Sequence, residues 1–140
     1  MLKLLLPVDG SPSAERAGAY IAKLWPHQQD TELHLLNVQP PLSGDIASFV
    51  PAATIADFHH EQALRETQTV RTLLEQANIP YSLHTVTGPI AETIAQYAQQ
   101  LSIDQIIMGS RGMSAIGNLL LGSIATKVIH LAPVPVTLVK

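Results

Sequence analysis

Short apolar segments alternate with segments of helical periodicity along the whole 140-residue chain, and this alternation limits the possible fold more than any other feature. Five segments have the length and apolar character of buried or half-buried strands. They cover residues 2–8, 31–38, 81–86, 104–108 and 134–139. Segments with apolar residues at helical spacing lie between them. The order β-α-β-α-β-α-β-α-β predicts a single-domain α/β fold, an open parallel five-stranded sheet with helices on both faces.

The ends of these segments carry residues that begin and end helices. Ser11 is expected to cap the first helix, with Pro12 at its first position, and Pro26 is expected to end it. The other helices are predicted over residues 55–77, 88–101 and 123–131. Residues 39–54 contain proline, glycine and serine without a periodic pattern, so a long loop is expected there. The polar alternation of the third strand places it near a sheet edge.

Composition and charge exclude several classes of protein. Hydrophobic residues make up 46% of the chain, which fits a packed domain and excludes a disordered one. The formal net charge of −3 gives no general attraction to nucleic acid or to an anionic membrane, so neither is an expected partner. The absence of cysteine excludes a disulfide scaffold and a thiolate nucleophile, and it suits the cytoplasm, the expected location. The first apolar run is too short for a signal peptide, and no run of about 18 apolar residues predicts a transmembrane helix.

The predicted topology indicates where a ligand would bind. In open parallel sheets, ligands bind beyond the carboxyl ends of the strands, where the strand order reverses. Asp9, Val38 and Gly109 all lie at predicted carboxyl ends, so we expect them on one side of the sheet. Asp9 is the best candidate for a titratable group that contacts a ligand. The alternative is a carboxylate that only accepts hydrogen bonds from the first turn of the following helix.

A glycine-rich segment joins the fourth strand to the last helix. Gly109-Ser110-Arg111-Gly112 is followed by nine residues and then by Gly122-Ser123. Glycine permits positive φ and close approach to a ligand, and a helix start presents free N–H groups. Ser123 could cap that helix or donate to a phosphate oxygen, and Arg111 could pair with phosphate. The segment from Gly109 to Ser123 therefore predicts a phosphate site; the alternative is a set of glycines that only shapes a long loop.

Three better-known nucleotide and phosphate motifs do not match this chain. Gly117 to Gly122 has the spacing of a P-loop, but Ser123-Ile124 follows where the motif requires lysine. Asp9-Gly10-Ser11-Pro12 lacks the G-x-G-x-x-G pattern of a dinucleotide site after the first strand. A phospho-acceptor domain would need clustered acidic residues at strand ends, and Asp9 stands alone.

On these residues the chain resembles the universal stress proteins over its whole length, residues 1–140. The G-x2-G-x9-G-[ST] pattern is typical of the branch of that family that binds ATP. The resemblance implies a Rossmann-like fold of the adenine nucleotide alpha hydrolase type. The matching segments are Pro7-Val8-Asp9-Gly10-Ser11, Gly88-Pro89-Ile90-Ala91-Glu92, Asp104 to Gly112, Leu121-Gly122-Ser123-Ile124-Ala125 and Pro133-Val134-Pro135-Val136.

The resemblance also implies a ligand, a set of site residues and a partner. The cofactor would be ATP, with Mg²⁺ or Mn²⁺ as a metal that could assist. Asp9 and Val38 would contact the adenine or the ribose, mainly through backbone groups, and the last strand, from Val134 to Val139, would pair with its copy in a homodimer. Met108 and Gly109 would border the ribose, and Gly112, Gly122, Ser123 and Ile124 would meet the phosphates. The expected nucleotide-binding residues are Pro7, Asp9, Val38, Met108, Gly109, Arg111, Gly112, Gly122, Ser123 and Ile124.

No dedicated catalytic centre is expected from the remaining polar residues. The chain has no G-x-S-x-G elbow to activate a serine and no evident acidic pair. His34 and His84 fall within predicted strands, so a metal site built on them would require adjacent strands; structural roles are expected for the histidines. The leading hypothesis is a dimeric ATP-binding regulator of the stress response. The alternatives are a slow ATPase and a binding module for AMP, a cyclic nucleotide or a dinucleotide.

Overall fold

The computed structural model describes residues 1–112 and 121–140, and strands alternate with helices along them. The strands are β1 (Leu2–Pro7), β2 (Thr31–Gln39), β3 (Ser82–Thr87), β4 (Gln105–Gly109) and β5 (Val136–Val139). The α-helices are α1 (Pro12–Leu24), α2 (Gly44–Phe49), α3 (Ala52–Gln76), α4 (Ile90–Gln100) and α5 (Ser123–Leu131). A short 3-10 turn, Trp25–His27, follows α1 and contains the proline that was expected to end it.

The five strands form one parallel sheet in the order β3-β2-β1-β4-β5, which confirms the predicted α/β fold. From β1 the chain builds outward to β2 and β3, and it then crosses back to add β4 and β5 on the other side of β1. The strand order therefore reverses between β1 and β4. β3 and β5 are the edge strands, and an edge position was expected for β3.

Alternate residues of the central strands face two hydrophobic cores. Leu4, Leu6, Leu33 and Leu35 pack with α1 and α3 on one face of the sheet. The other face, which includes Leu5, packs with α4 and α5. Because β1 and β2 are covered on both faces, their sequences are apolar nearly throughout. Burial of each such leucine contributes about 1.5–3 kcal/mol relative to an exposed one.

The start of α1 has the predicted cap. The Ser11 hydroxyl oxygen accepts a hydrogen bond from the Ala14 N–H at 3.1 Å, and Pro12 occupies the first position of the helix. Proline costs nothing there because that N–H has no partner within a helix. This cap places the start of α1 two residues after Asp9.

The prediction of a long loop over residues 39–54 was wrong in part. Residues Gly44–Phe49 form α2, whose N-terminus is capped by the Ser43 hydroxyl accepting from Ile46 N–H at 3.4 Å, and α3 already begins at Ala52. No residue of α2 is buried, so no apolar period marked it in the sequence.

Within the described ranges, the helices are all too short or too polar for a membrane span.

Candidate functional site

An open cleft of about 540 Å³ lies at the carboxyl ends of β1 and β4, where the strand order reverses. The cleft brings together most of the residues predicted to bind a ligand. Eight of the ten line it: Pro7, Asp9, Val38, Met108, Gly109, Arg111, Gly112 and Ile124.

The other two predicted residues lie beside the cleft at the start of α5. Gly122 donates its N–H to the carbonyl oxygen of Ser110 at 2.7 Å, which holds the helix start against the end of β4. Ser123 is the first residue of α5 and is exposed. It does not cap the helix, because Gly122 occupies the cap position and no side chain of the described residues caps α5. The N–H groups of the first turn are therefore available to an anion.

The floor of the cleft is apolar. Val38 and Met108 are buried, and Ile90, Ile94 and Ala125 line the same surface. These side chains come from β2, β4, α4 and α5, so both the sheet and the two covering helices form the floor. An apolar surface beside hydrogen-bonding backbone suits an aromatic base.

Asp9 follows the first strand and faces the turn formed by residues 109–112, which we call the glycine turn. Its Oδ1 accepts a hydrogen bond from the Ser11 N–H at 3.0 Å. One carboxylate oxygen therefore has a partner at the start of α1, while the other oxygen has none there. A Cβ atom on Gly112 would lie 3.0 Å from Asp9 Oδ2. The second oxygen therefore faces the glycine turn across the mouth of the cleft.

The glycines serve packing more than unusual backbone geometry. Gly10 alone among the described glycines has a positive φ, at 83°. A Cβ on Gly109 would collide with Ser13 of α1, and it would lie only 2.6 Å from the Ser13 carbonyl carbon. A Cβ on Gly122 would lie 3.2 Å from Arg111 Cα. Of the two properties for which glycine was expected in the segment, positive φ is not used at Gly109, Gly112 or Gly122.

Residues 113–120, the middle of the predicted phosphate segment from Gly109 to Ser123, lie outside the described residues. The turn that precedes them is held by α1, since the Arg111 N–H donates to the Ser13 hydroxyl oxygen at 3.2 Å. Ser110 N–H in turn donates to the Val139 carbonyl at 3.0 Å. Both ends of the segment are thus anchored to the sheet or its helices.

Sequence reasoning missed two kinds of site residue. Ser13 is buried and supports the glycine turn, but nothing in the sequence places it 98 positions away beside Arg111. Ile90 and Ile94 were predicted only as the buried side of a helix. Their position at the carboxyl ends of the strands could have been inferred from the topology, because α4 follows the carboxyl end of β3.

His34 and His84 are adjacent, a condition that sequence alone could not establish. Strands β2 and β3 pair, and His34 Nδ1 lies 2.8 Å from His84 Nε2, while His34 Nε2 contacts Glu32 Oε1. Burial lowers the pKa of His84 below 6.5, and the nearby His34 lowers it further. The described residues contain no group of three or more histidine or acidic side chains that could hold a metal ion.

Comparison with known proteins identifies the family. The model of the Universal stress protein family matches residues 1–140. The chain belongs to the universal stress protein family. A universal stress protein of Thermus aquaticus is 32% identical over 142 residues, which cover 98% of this chain and 97% of the relative. The solved structure of MJ0577, a universal stress protein of Methanocaldococcus jannaschii, superimposes with a TM-score of 0.81 at 28% identity, covering 99% of this chain and 94% of that one.

Several more distant structures of the universal stress protein family were solved with adenine nucleotides. One, at 20% identity and a TM-score of 0.74, is a complex with cAMP and covers 99% of this chain and 97% of its own. An Arabidopsis thaliana protein with AMP bound matches at 17% identity with a TM-score of 0.72, and the match covers 100% of this chain and 92% of that one. An Archaeoglobus fulgidus protein in complex with dAMP matches at 17% identity with a TM-score of 0.72, and the match covers 100% of this chain and 98% of that one. At these identities the likeness shows a shared fold.

Proposed function

We propose that this universal stress protein binds ATP in the cleft between β1 and β4 and acts as a homodimeric regulator in the stress response. The single observation that carries the proposal is the arrangement of the cleft itself. An apolar floor for a base lies next to the start of α5, which no described side chain caps and where N–H groups can donate hydrogen bonds to an anion. The family members with cAMP, AMP and dAMP support adenine nucleotides as the ligand class.

The ten predicted residues take proposed roles in this cleft. The backbone near Pro7, Asp9 and Val38 would face the base or the ribose, above the buried Met108. Gly109 would border the ribose. The phosphates would lie along the other end, formed by Arg111, Gly112, Gly122, Ser123 and Ile124.

A divalent metal would accompany the nucleotide rather than occupy a protein site. In the described residues Asp9 is the one carboxylate that lines the cleft, and a single carboxylate does not form a metal cage. Mg²⁺ usually keeps several waters and binds through substrate phosphates with one or two carboxylates. We therefore propose that Mg²⁺ or Mn²⁺ would sit on the phosphates, with Asp9 as its nearest acidic neighbour.

The proposal is tested by calorimetric titration of the purified protein with ATP, with and without Mg²⁺. We expect saturable binding with one nucleotide per chain. Absence of saturable binding at millimolar ATP would refute the proposal. Titration with AMP and cAMP ranks the alternative ligands, and the monophosphate-bound relatives favour AMP as the second candidate.

Hydrolysis is the second question that the site raises. No described side chain near the cleft forms a nucleophile–base pair, and the only acidic group that lines it, Asp9, is already hydrogen-bonded to Ser11. We propose that ATP is bound without dedicated catalysis. A single-turnover assay with radiolabelled ATP decides the point, since prompt release of phosphate or pyrophosphate would favour an enzyme.

The proposed dimer uses the open edge of β5. The carbonyls of Pro135 and Val139 accept hydrogen bonds from Ile106 of β4 and from Ser110, which follows it. Because backbone groups alternate in direction along a strand, those of Val136 and Leu138 point to the open edge. Open edges of this kind favour pairing with another chain. Ile129 and Leu131 of the neighbouring helix are also exposed. We propose that two copies pair here, in the cytoplasm; light scattering that gives the mass of a monomer would refute the dimer.

A further inference from the structure

Next to the carboxyl end of β1 lies a polar network that the nucleotide site does not include. Asn37 of β2, Gln39 of β2 and Glu66 of α3 form it on the α3 side of the sheet. We propose that Asn37 is a positioning residue for the nucleotide site, and that Glu66 and Gln39 orient its side chain. The inference rests on the proposed function, because it concerns affinity for the same ligand.

Asn37 uses each hydrogen-bonding atom of its side chain. Its Nδ2 donates to the Val8 carbonyl oxygen at 2.8 Å and to Glu66 Oε1 at 3.1 Å, and its Oδ1 accepts from Gln39 Nε2 at 2.8 Å. Gln39 Nε2 also donates to Glu66 Oε1 at 3.2 Å. The opposite orientation of the Asn37 amide would place its oxygen against the Val8 carbonyl and the Glu66 carboxylate. The network therefore selects one orientation of a fully buried side chain.

The partner of Asn37 lies at the point where the chain leaves the sheet. β1 ends at Pro7, and the Val8 N–H still bonds to the Leu36 carbonyl at 2.9 Å. Asn37 holds the carbonyl of the same residue. Val8 is thus bonded to β2 through both of its backbone polar groups, and Asp9 follows it directly.

Glu66 also supports the turn on the far side of Asp9. A Cβ on Gly10 would lie 3.3 Å from Cα, Cβ and Cγ of Glu66, so the turn rests directly on this residue. The positive φ of Gly10 would strain any other residue there. Asp9 is therefore held by a hydrogen bond before it and by packing after it. This arrangement directs its second oxygen toward Gly112, the glycine expected to meet the phosphates.

A purely structural role would also destabilise the protein when Asn37 is replaced, because buried groups would lose their partners. Stability alone cannot separate the two roles. Nucleotide affinity can, if it is measured at a temperature where every variant is folded. The control needs a buried polar residue of α3 that does not reach the turn. Thr67 meets this condition, since its hydroxyl bonds to the Ala63 carbonyl at 2.7 Å and accepts from Arg71 Nε at 3.0 Å.

The test compares four variants by calorimetric titration with MgATP, with folding checked by circular dichroism. We expect Asn37→Ala and Glu66→Ala each to weaken affinity about tenfold, because the Val8–Asp9 turn loses its anchor. Glu66→Gln should bind within about twofold of the wild type, because its amide oxygen can still accept from Asn37 and Gln39. Thr67→Ala should also stay within about twofold, although it is destabilised. The Glu66 pair decides the outcome even if Asn37→Ala does not fold, because Glu66 is only half-buried.

Two results would overturn the inference while leaving the proposed function intact. One is wild-type affinity in folded Asn37→Ala or Glu66→Ala. The other is an equal loss in Thr67→Ala, which would show that any lost stability lowers affinity. Failure of the wild type to bind any adenine nucleotide would instead refute the proposed function, and the inference with it.

Discussion

Replacement of Gly109 by alanine tests whether the end of β4 is shaped by packing against α1. The added methyl would collide with the Ser13 hydroxyl and would lie 2.6 Å from the Ser13 carbonyl carbon and 2.7 Å from its oxygen. Comfortable carbon contacts are about 3.5–4.0 Å, so the helix start would have to move by about 1 Å. Gly109 belongs to a strand that pairs with β1 and β5, and Ser13 belongs to the first turn of α1, so neither backbone is free to move.

The cost of Gly109→Ala follows from this geometry. Overpacking of a core usually costs about 1–3 kcal/mol, and a collision with backbone atoms belongs at the upper end. We expect a loss of about 3 kcal/mol in the free energy of unfolding, or about 10 °C in Tm for a domain of this size. Urea denaturation followed by circular dichroism measures it.

Two controls make the test specific. Gly44 of α2 has no atom within 4 Å of a built Cβ, so Gly44→Ala should be neutral or more stable by up to about 1 kcal/mol. Ser13→Ala removes only the hydroxyl, so it should not restore the stability of Gly109→Ala. A loss below about 0.5 kcal/mol, or full rescue by Ser13→Ala, would refute the packing argument.

Three further predictions concern the ligand, the dimer and pH. Gly122→Val should abolish ATP binding in a folded protein, because its side chain would push against the backbone of Arg111; retained affinity in calorimetry would place the nucleotide elsewhere. Leu138→Pro should convert the proposed dimer to a monomer by light scattering, because it removes an outward N–H from the edge of β5; a persistent dimer would exclude this edge. The pKa of His84 is lowered by burial and then by His34, so the unfolded chain takes up the proton more readily. The free energy of unfolding in urea should therefore be highest above pH 6.5, the ordinary pKa of histidine, and should fall as the pH drops below that value. His84→Gln should make this fall smaller.

The fold was predictable from sequence because its signals are local. The central strands are covered on both faces, so they read as apolar runs, and the caps of α1 and the glycine before α5 mark helix starts. The start of α5 at Ser123 agrees with the prediction for this reason. β5 begins at Val136 rather than at residue 134, since Pro135 cannot donate to the ladder.

The features that sequence did not predict depend on contacts between distant residues. The requirement for glycine at 109 comes from Ser13, which is close only after β4 has joined the sheet beside β1. The contact between His34 and His84 depends on the register of β2 and β3. α2 was missed for a different reason: it has no buried side chain, so its sequence carries no periodic apolar pattern.

The three glycines of the G-x2-G-x9-G pattern have different neighbours in the structure. A Cβ on Gly109 would strike α1, one on Gly112 would approach the Asp9 carboxylate, and one on Gly122 would press on the glycine turn. Gly109 is therefore required by the backbone of α1 before any ligand binds, whereas a side chain at Gly112 or Gly122 would need its neighbour to shift by a few tenths of an ångström. These contacts lie within the protein, so the glycines do not by themselves identify the ligand. The case for an adenine nucleotide thus rests on the apolar floor beside the start of α5. Titration with the base alone and with phosphate alone would separate the contributions of the floor and of the helix start.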